Sequence, residues 1–285
     1  FLGENNFSVK PENLKKYYAF SHTPAPFTVY NNIFQLKPGE ILSVSTKNLE
    51  VKSKIFWDIS DGPDFNEYFN NNHFNTFKSG FTEIVLKHSI ADNKVGLLLS
   101  GGKDSNIIKK NLEKRYKDFK TFTLGFEDET YDESKYIKKD NQLNSIIKIL
   151  SKGDIINNFK KISNNFDYAL VDSSILPTFS IFKEVAKSTN VAITGDGGDE
   201  NFFGYITFDA FYLAINLKKI IPNFIFKYIS NLFNLFSNND EYISTSKKIK
   251  LFFKFLHCDL KYLNLHWLNN LNNRDLNELS GLKSF

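Results

Sequence analysis

VGLLLSGGKDS, Val95 to Ser105, runs an apolar segment straight into a serine, two glycines, a lysine and an acid. The apolar part reads as a buried strand, and SNIIKKNLEKRYK, which follows, reads as a helix. A strand that ends in Ser100-Gly101-Gly102-Lys103-Asp104-Ser105 and opens a helix aims several backbone N–H groups at one point. Those first-turn amides lack helical partners and the helix dipole favours negative charge there, so the loop has the chemistry of an anion site. Glycines let an anion approach the main chain, and Ser100 and Ser105 can add hydroxyl donors. A plain strand-to-helix turn with a capping serine is the competing reading. The spacing is neither that of the Walker loop, which needs four residues between its first glycine and the Gly-Lys pair, nor the dinucleotide fingerprint.

A second stretch, AITGDGGDENFFGY from Ala192 to Tyr205, again leads from a strand into glycines and acids. Asp196, Asp199 and Glu200 crowd this turn, which is costly in mutual repulsion unless a cation sits among them or water screens them. Between and around the two stretches, helix and strand alternate. FNTFKSGFTEIVLKHSIA, SNIIKKNLEKRYK, DESKYIKKDNQLN and ILPTFSIFKEVAKST read as helices, and KVGLLL, FKTFTLGF, SIIKILS and NVAITG as strands. This pattern predicts an α/β fold: a parallel sheet with helices on both faces and its ligand crevice beyond the carboxyl ends of the strands. One sheet then brings both loops to a common edge, with phosphates on the first and a magnesium ion shared by Asp104 and Asp199.

The remaining chain frames this unit. Phe27 to Trp57 is β-rich, with a turn at Pro38-Gly39 and a hairpin from ILSV and LEVKSKIFW, and Asp58 to Asn72 reads as a linker. From Tyr205 onward the pattern is helical. The 36 basic and 32 acidic residues give a net charge of +4 without a basic stripe, which argues against a nucleic-acid partner. The single cysteine, Cys258, excludes an internal disulfide framework and any multi-thiolate zinc site, and at helical spacing among aromatics it reads as an inert buried thiol. His22, His88, His257 and His266 lack metal-ligand spacing and read as structural. Lys218, Lys219, Pro222 and Lys227 interrupt the most apolar late segment, so it reads as packed helices with no membrane partner, and a cytoplasmic protein is the default. The absence of methionine suggests that residue 1 is not a natural start and that the sequence is a fragment.

Together these stretches resemble a known family. Ser-Gly-Gly-x-Asp-Ser is similar to the pyrophosphate loop of the ATP pyrophosphatase, or PP-loop, superfamily. With TFTLGFEDETYDESKYIKK, DYALVDSSILPTFSIFKEVAK and TGDGGDENFFGY it resembles the synthetase domain of glutamine-hydrolysing asparagine synthetase, from about Phe74 to Tyr205. VKPENLKKYYAFSHTPAPFTVYNNIFQLKPGEILSV is similar to the closing part of that family's glutaminase domain. The resemblance implies residues 1–60 as the remnant of a class II, Ntn-type glutaminase domain and linker. It implies residues 70–285 as a truncated synthetase domain, an adenine-nucleotide α-hydrolase-like fold followed by a helical C-terminal part.

The resemblance further implies ATP and Mg2+ as cofactors and amide formation through an acyl-adenylate. Ammonia comes from glutamine by way of a glutaminase domain missing from this chain, and a homodimer is an assembly it allows. By the same resemblance Leu98 and Leu124 line the adenine pocket, and Thr194 and Gly195 contact the nucleotide through the main chain. Ser100, Gly101, Gly102, Asp104 and Ser105 hold phosphate, Asp104 and Asp199 the metal, and Asp196 assists the ammonia step. Lys103 stands where the family has an apolar residue, DYALVDSS lacks the family's Glu-Pro, no histidine follows YDES, and no stretch after Tyr205 is matched. These departures leave open a relative that amidates another carboxylate, such as a polysaccharide sugar acid or a β-lactam precursor, and a non-catalytic nucleotide-binding module.

Overall fold

The computed structural model describes residues 8–62, 73–128, 132, 134–137, 144–165, 172–235 and 245–269. They fall into two compact units, one drawn from residues 1–61 and 203–285, the other from 62–167 and 172–202. The first unit begins with helix α1 (Pro11–Phe20), which Pro11 opens and which ends at Ser21 with φ 61°. Strands β1 (Glu40–Val44) and β2 (Val51–Ile55) then pair antiparallel, Glu40 opposite Ile55 and Val44 opposite Val51, which is the hairpin expected from the sequence. Gly39, at φ +69°, has the Trp57 carbonyl where a Cβ would stand, so the turn before β1 requires glycine.

The second unit carries the parallel sheet. Helix α2 (His73–His88) leads to β3 (Val95–Leu98), then α3 (Lys103–Leu112), β4 (Lys120–Phe126), β5 (Asn144–Leu150), α4 (Lys152–Ser163), α5 (Ile175–Val185), β6 (Val191–Ile193) and the short α6 (Gly198–Asn201). The strand order is β5-β4-β3-β6, with every neighbouring pair parallel. Alternate side chains of β3 point to opposite faces. Leu97 and Leu99 join Val85, Ile108, Leu112 and Phe119 under α2 and α3. Leu98 packs with Leu124, Ile146 and Ala192 against Phe122, Ile181 and Val185 under α5. Helices thus cover both faces, as the alternation of elements implied.

Helix α4 is absent from the sequence reading. It starts at a reciprocal cap: the Ser151 hydroxyl accepts the Asp154 N–H, and the Asp154 carboxylate accepts the Ser151 N–H at 3.2 Å. Lys148 Nζ, 3.0 Å away, is the chief cause that holds the Asp154 carboxyl down at about 2, with the Ser151 donors adding to it. Of the helix expected in DESKYIKKDNQLN, the described residues include a short 3-10 turn at Ser134–Tyr136; residues 138–143 lie outside them. Residues 166–171, the start of DYALVDSS, lie outside them as well.

The first unit resumes with four helices, α7 (Ile206–Ile220), α8 (Asn223–Leu235), α9 (Thr245–Phe255) and α10 (Leu260–Asn269). Pro222 separates α7 from α8, because it cannot continue a helix. Ala214, Phe226, Phe255, Leu256, Leu263 and Trp267 form their core. Cys258 is half-buried and burial pushes its thiol up, in keeping with an inert role. Burial likewise holds the His257 and His266 imidazoles below their ordinary range. Among the described residues no helix is long and apolar enough to cross a membrane.

Candidate functional site

In the sheet, the chain steps outward from β3 to β4 to β5, then returns to the other side of β3 to form β6. That reversal makes the gap beyond the carboxyl ends of β3 and β6 the topological switch point, where open α/β sheets bind their ligands. The loops that leave these two adjacent strands are Ser100–Gly102 and Thr194–Gly197.

They touch. A Cβ on Gly195 would lie 3.1 Å from the Ser105 nitrogen and 3.2 Å from Asp104 Cβ, and one on Gly198 would lie 2.5 Å from Asp104 Oδ2. Two glycines of the second loop therefore let the start of α3 approach the turn after β6 at main-chain distance. The common rim inferred from the sequence is present, within the second unit.

The first loop is tied from inside by Ser105, which is 4% exposed. Its hydroxyl accepts the Ser100 N–H at 3.1 Å, pairs with Ser100 Oγ at 3.0 Å and lies 3.1 Å from the Ser100 carbonyl. Ser100 Oγ in turn accepts the Gly102 N–H at 3.1 Å. This changes the donor set expected from the sequence: the Gly102 amide and the Ser105 hydroxyl are spent within the loop. Within the described residues the N–H groups of Gly101 and Lys103 meet no acceptor. Thr123, buried on β4, donates its hydroxyl to the Leu99 carbonyl at 2.9 Å and pins the strand end that launches the loop.

The remaining sequence-predicted residues lie on the strands and turns that carry these loops and on the neighbouring strand β4. Leu98 and Leu124 share one apolar cluster beneath α5. Thr194 Oγ1 accepts the Asp196 N–H at 3.3 Å, and Gly197, at φ +85°, turns the chain into α6. Asp196, Asp199 and Glu200 are exposed, whereas Asp104 is half-buried against Gly198. The crowding of acids read from the sequence is therefore relieved by water. Among the described residues no three His, Cys, Asp or Glu side chains gather closely enough to hold a metal ion. The Asp104 and Asp199 carboxylates have no hydrogen bond or ion pair among the described residues, which leaves both available. Magnesium takes one or two carboxylates when substrate phosphates complete its shell, so the donor type suits the ion.

One feature escaped the sequence reading, the Asn106 side chain. It donates to the Gly102 carbonyl at 2.7 Å and the Ser100 carbonyl at 3.3 Å. The available signal was position: an amide in the first turns of a helix reaches back to preceding carbonyls.

The family model described as asparagine synthase matches residues 76–277, which include both loops. This chain belongs to the asparagine synthase family. Its relatives include asparagine synthetase [glutamine-hydrolyzing] 1 of Bacillus subtilis, 27% identical over 207 residues that cover 72% of this chain and 32% of the relative. A putative asparagine synthetase of Methanocaldococcus jannaschii is 28% identical over 231 residues, 76% of this chain and 43% of the relative. The enzyme of Cricetulus griseus is 25% identical over 251 residues, 73% of this chain and 44% of the relative. The matched part of the chain thus spans from 32% to 44% of the length of these asparagine synthase relatives. The family match also corrects the sequence reading at its far end: it continues beyond Tyr205 to residue 277 and takes in α7 to α10.

Proposed function

We propose that this chain carries the ATP-dependent, amide-forming part of an asparagine synthetase-type ligase. The observation that carries the reading is the contact between the loops after β3 and β6 at the switch point of the sheet, made within a match to the asparagine synthase family. In this reading the phosphate chain of ATP lies against the free amides of Gly101 and Lys103, and Ser100, Gly102 and Ser105 hold the loop that presents them. Leu98 and Leu124 face the adenine, and the main chain at Thr194 and Gly195 contacts the nucleotide. Asp104 and Asp199 would hold magnesium, which supplies charge neutralisation for the departing pyrophosphate.

The reaction then proceeds in two displacements. A carboxylate oxygen of aspartate attacks the α-phosphorus, the bond to the β-phosphate bridging oxygen breaks, and pyrophosphate leaves. Ammonia attacks the acyl carbon of the adenylate, AMP departs and one proton is released. Preorganised amides that meet charge where it develops lower such barriers. Asp196, exposed beside Thr194, is assigned to orient the ammonia or accept its proton, a contribution of roughly 10²-fold or more. The relatives are named glutamine-hydrolysing, and a glutaminase is accordingly the ammonia source assigned to the whole protein, with the β1–β2 region, within residues 1–60, as its closing part. A cytoplasmic setting, where ATP and aspartate are abundant, suits this chemistry.

The test is pyrophosphate release from ATP and Mg2+ with ammonia and a panel of carboxylic acids. Release that depends on aspartate, and is lost in Asp196→Ala, supports the proposal. Dependence on a different acid transfers the chain to a relative with another acceptor, and ATP that does not bind removes the ligase reading.

A further inference from the structure

The amides of the first loop differ in their fate. Ser100 N–H is bonded to Ser105 Oγ and Gly102 N–H to Ser100 Oγ, while the N–H groups of Gly101 and Lys103 meet no acceptor among the described residues. The direction of each N–H follows from the carbonyl that precedes it. In a trans peptide the C=O and the next N–H point to opposite sides of one plane. The Ser100 carbonyl lies 3.1 Å from the Ser105 hydroxyl and 3.3 Å from the Asn106 amide. The Gly102 carbonyl lies 3.3 Å from the same hydroxyl and 2.7 Å from the same amide. The Gly102 carbonyl, at the cap of α3, is fixed by the helix in any case, so the carbonyl that depends on these side chains is that of Ser100, and with it drawn toward them the Gly101 N–H faces away. A serine hydroxyl has one hydrogen and cannot donate fully to both carbonyls, whereas the Asn106 side chain has two.

We propose that Asn106 is a positioning residue for phosphate recognition: its amide ties the Ser100 carbonyl back to the first turn of α3 and thereby aims the Gly101 N–H at the pyrophosphate portion of the nucleotide. The proposal rests on the ATP site argued above and deepens it. Asn106 itself touches no phosphate, and its effect is transmitted through the Ser100–Gly101 peptide plane. Without its donors the Ser100 carbonyl is left to the single hydrogen of the Ser105 hydroxyl, which Ser100 Oγ and the Gly102 carbonyl also engage, and the Gly101 N–H loses its aim part of the time. The Gly102 carbonyl, at the cap of α3, stays held by the helix and keeps the Lys103 N–H in place. An interaction that is available only part of the time weakens the binding of the group it serves and leaves the rest of the ligand unaffected.

The experiment compares the 285-residue chain with Asn106→Leu, which keeps the side-chain size and removes both donors, and with Asn106→Gln, which keeps both donors at longer reach. Binding of ATP, inorganic pyrophosphate and adenosine is measured by calorimetric titration, with the thermal midpoint recorded beside it. The expected result is a roughly tenfold loss of affinity for ATP and for pyrophosphate in Asn106→Leu, adenosine affinity unchanged, and Asn106→Gln between the two. Should the leucine variant fold poorly, Asn106→Ser, with a single donor, is read in the same way. Pyrophosphate affinity equal in wild type and Asn106→Leu, or an equal loss for adenosine, overturns the proposal and leaves the nucleotide reading intact. A wild-type chain that takes up neither ATP nor pyrophosphate overturns both.

Discussion

Replacement of Gly198 by alanine tests the contact between the two loops. The new Cβ would stand 2.5 Å from Asp104 Oδ2, 2.7 Å from Asp104 Cγ and 3.2 Å from Asp104 Cβ. Nonbonded contacts of this kind settle near about 3.5 Å, so the carboxylate has to move by about 1 Å or the loops have to part. The obstructing atoms are the end of a side chain, which rotates, and the folding cost falls at the low end of overpacking, about 1 kcal/mol. The gain of about 0.4–1 kcal/mol from replacing glycine at an ordinary φ offsets much of that. Stability therefore changes little while the Asp104 carboxylate is displaced from the rim. The expected outcome is a loss of Mg2+-dependent ATP affinity of at least tenfold, or about 1.4 kcal/mol, by calorimetric titration. Gly80→Ala in α2 is the matched control, because a Cβ there meets nothing within 4 Å. It should raise stability by about 0.4–1 kcal/mol and leave ATP binding alone. A Gly198→Ala variant that binds ATP and Mg2+ as tightly as wild type would refute the reasoning.

Three further outcomes are expected. Lys103 occupies the first position of α3, where a cation opposes the helix dipole, so Lys103→Leu should stabilise the chain by about 0.3–1 kcal/mol in denaturant titrations while it weakens ATP binding and flattens its salt dependence. Thr123→Val removes the donor to the Leu99 carbonyl within the buried strand end and should cost about 1–3 kcal/mol by urea unfolding. Asp154 has its folded pKa, about 2, below its ordinary 3.8, so its contribution to stability is complete above pH about 4 and is lost as pH falls toward 2. Asp154→Asn should accordingly be less stable than wild type at neutral pH, and the gap should close across that acid window. A gap that persists at pH 2 contradicts the assignment.

The sheet was legible because its central strand is an uninterrupted apolar run and each loop that matters ends one strand in glycines and acids. Helix α4 escaped because its apolar positions do not all face inward: Ile162 is buried, but Ile156 and Phe159 are exposed, at 62% and 60%. The signal was the cap, Ser151-x-x-Asp154, which carries no hydrophobicity. Helix α1 hides for the converse reason. It buries Asn13 and Lys15 beside Tyr17, so its inward face lacks an apolar period, and only Pro11 at its start marks it. In the site, the residue types were readable and their division of labour was not. Ser105 looked like a phosphate donor, yet burial turns its hydroxyl inward; Gly102 looked like an amide donor, yet Ser100 takes its N–H. Such assignments depend on which peptide planes the fold rotates, and residue identity alone does not carry that information. Conversely, the acids of the second loop were read as crowded, and their exposure removes the electrostatic cost that drew attention to them.

The central claim is that the loops after β3 and β6 form one nucleotide site, and amide NMR of the 15N-labelled chain during titration with ATP and Mg2+ tests it most directly. The account predicts that the Gly101, Lys103, Thr194 and Gly195 resonances shift together and saturate along one binding curve. Shifts confined to one loop, or none in either, would contradict it.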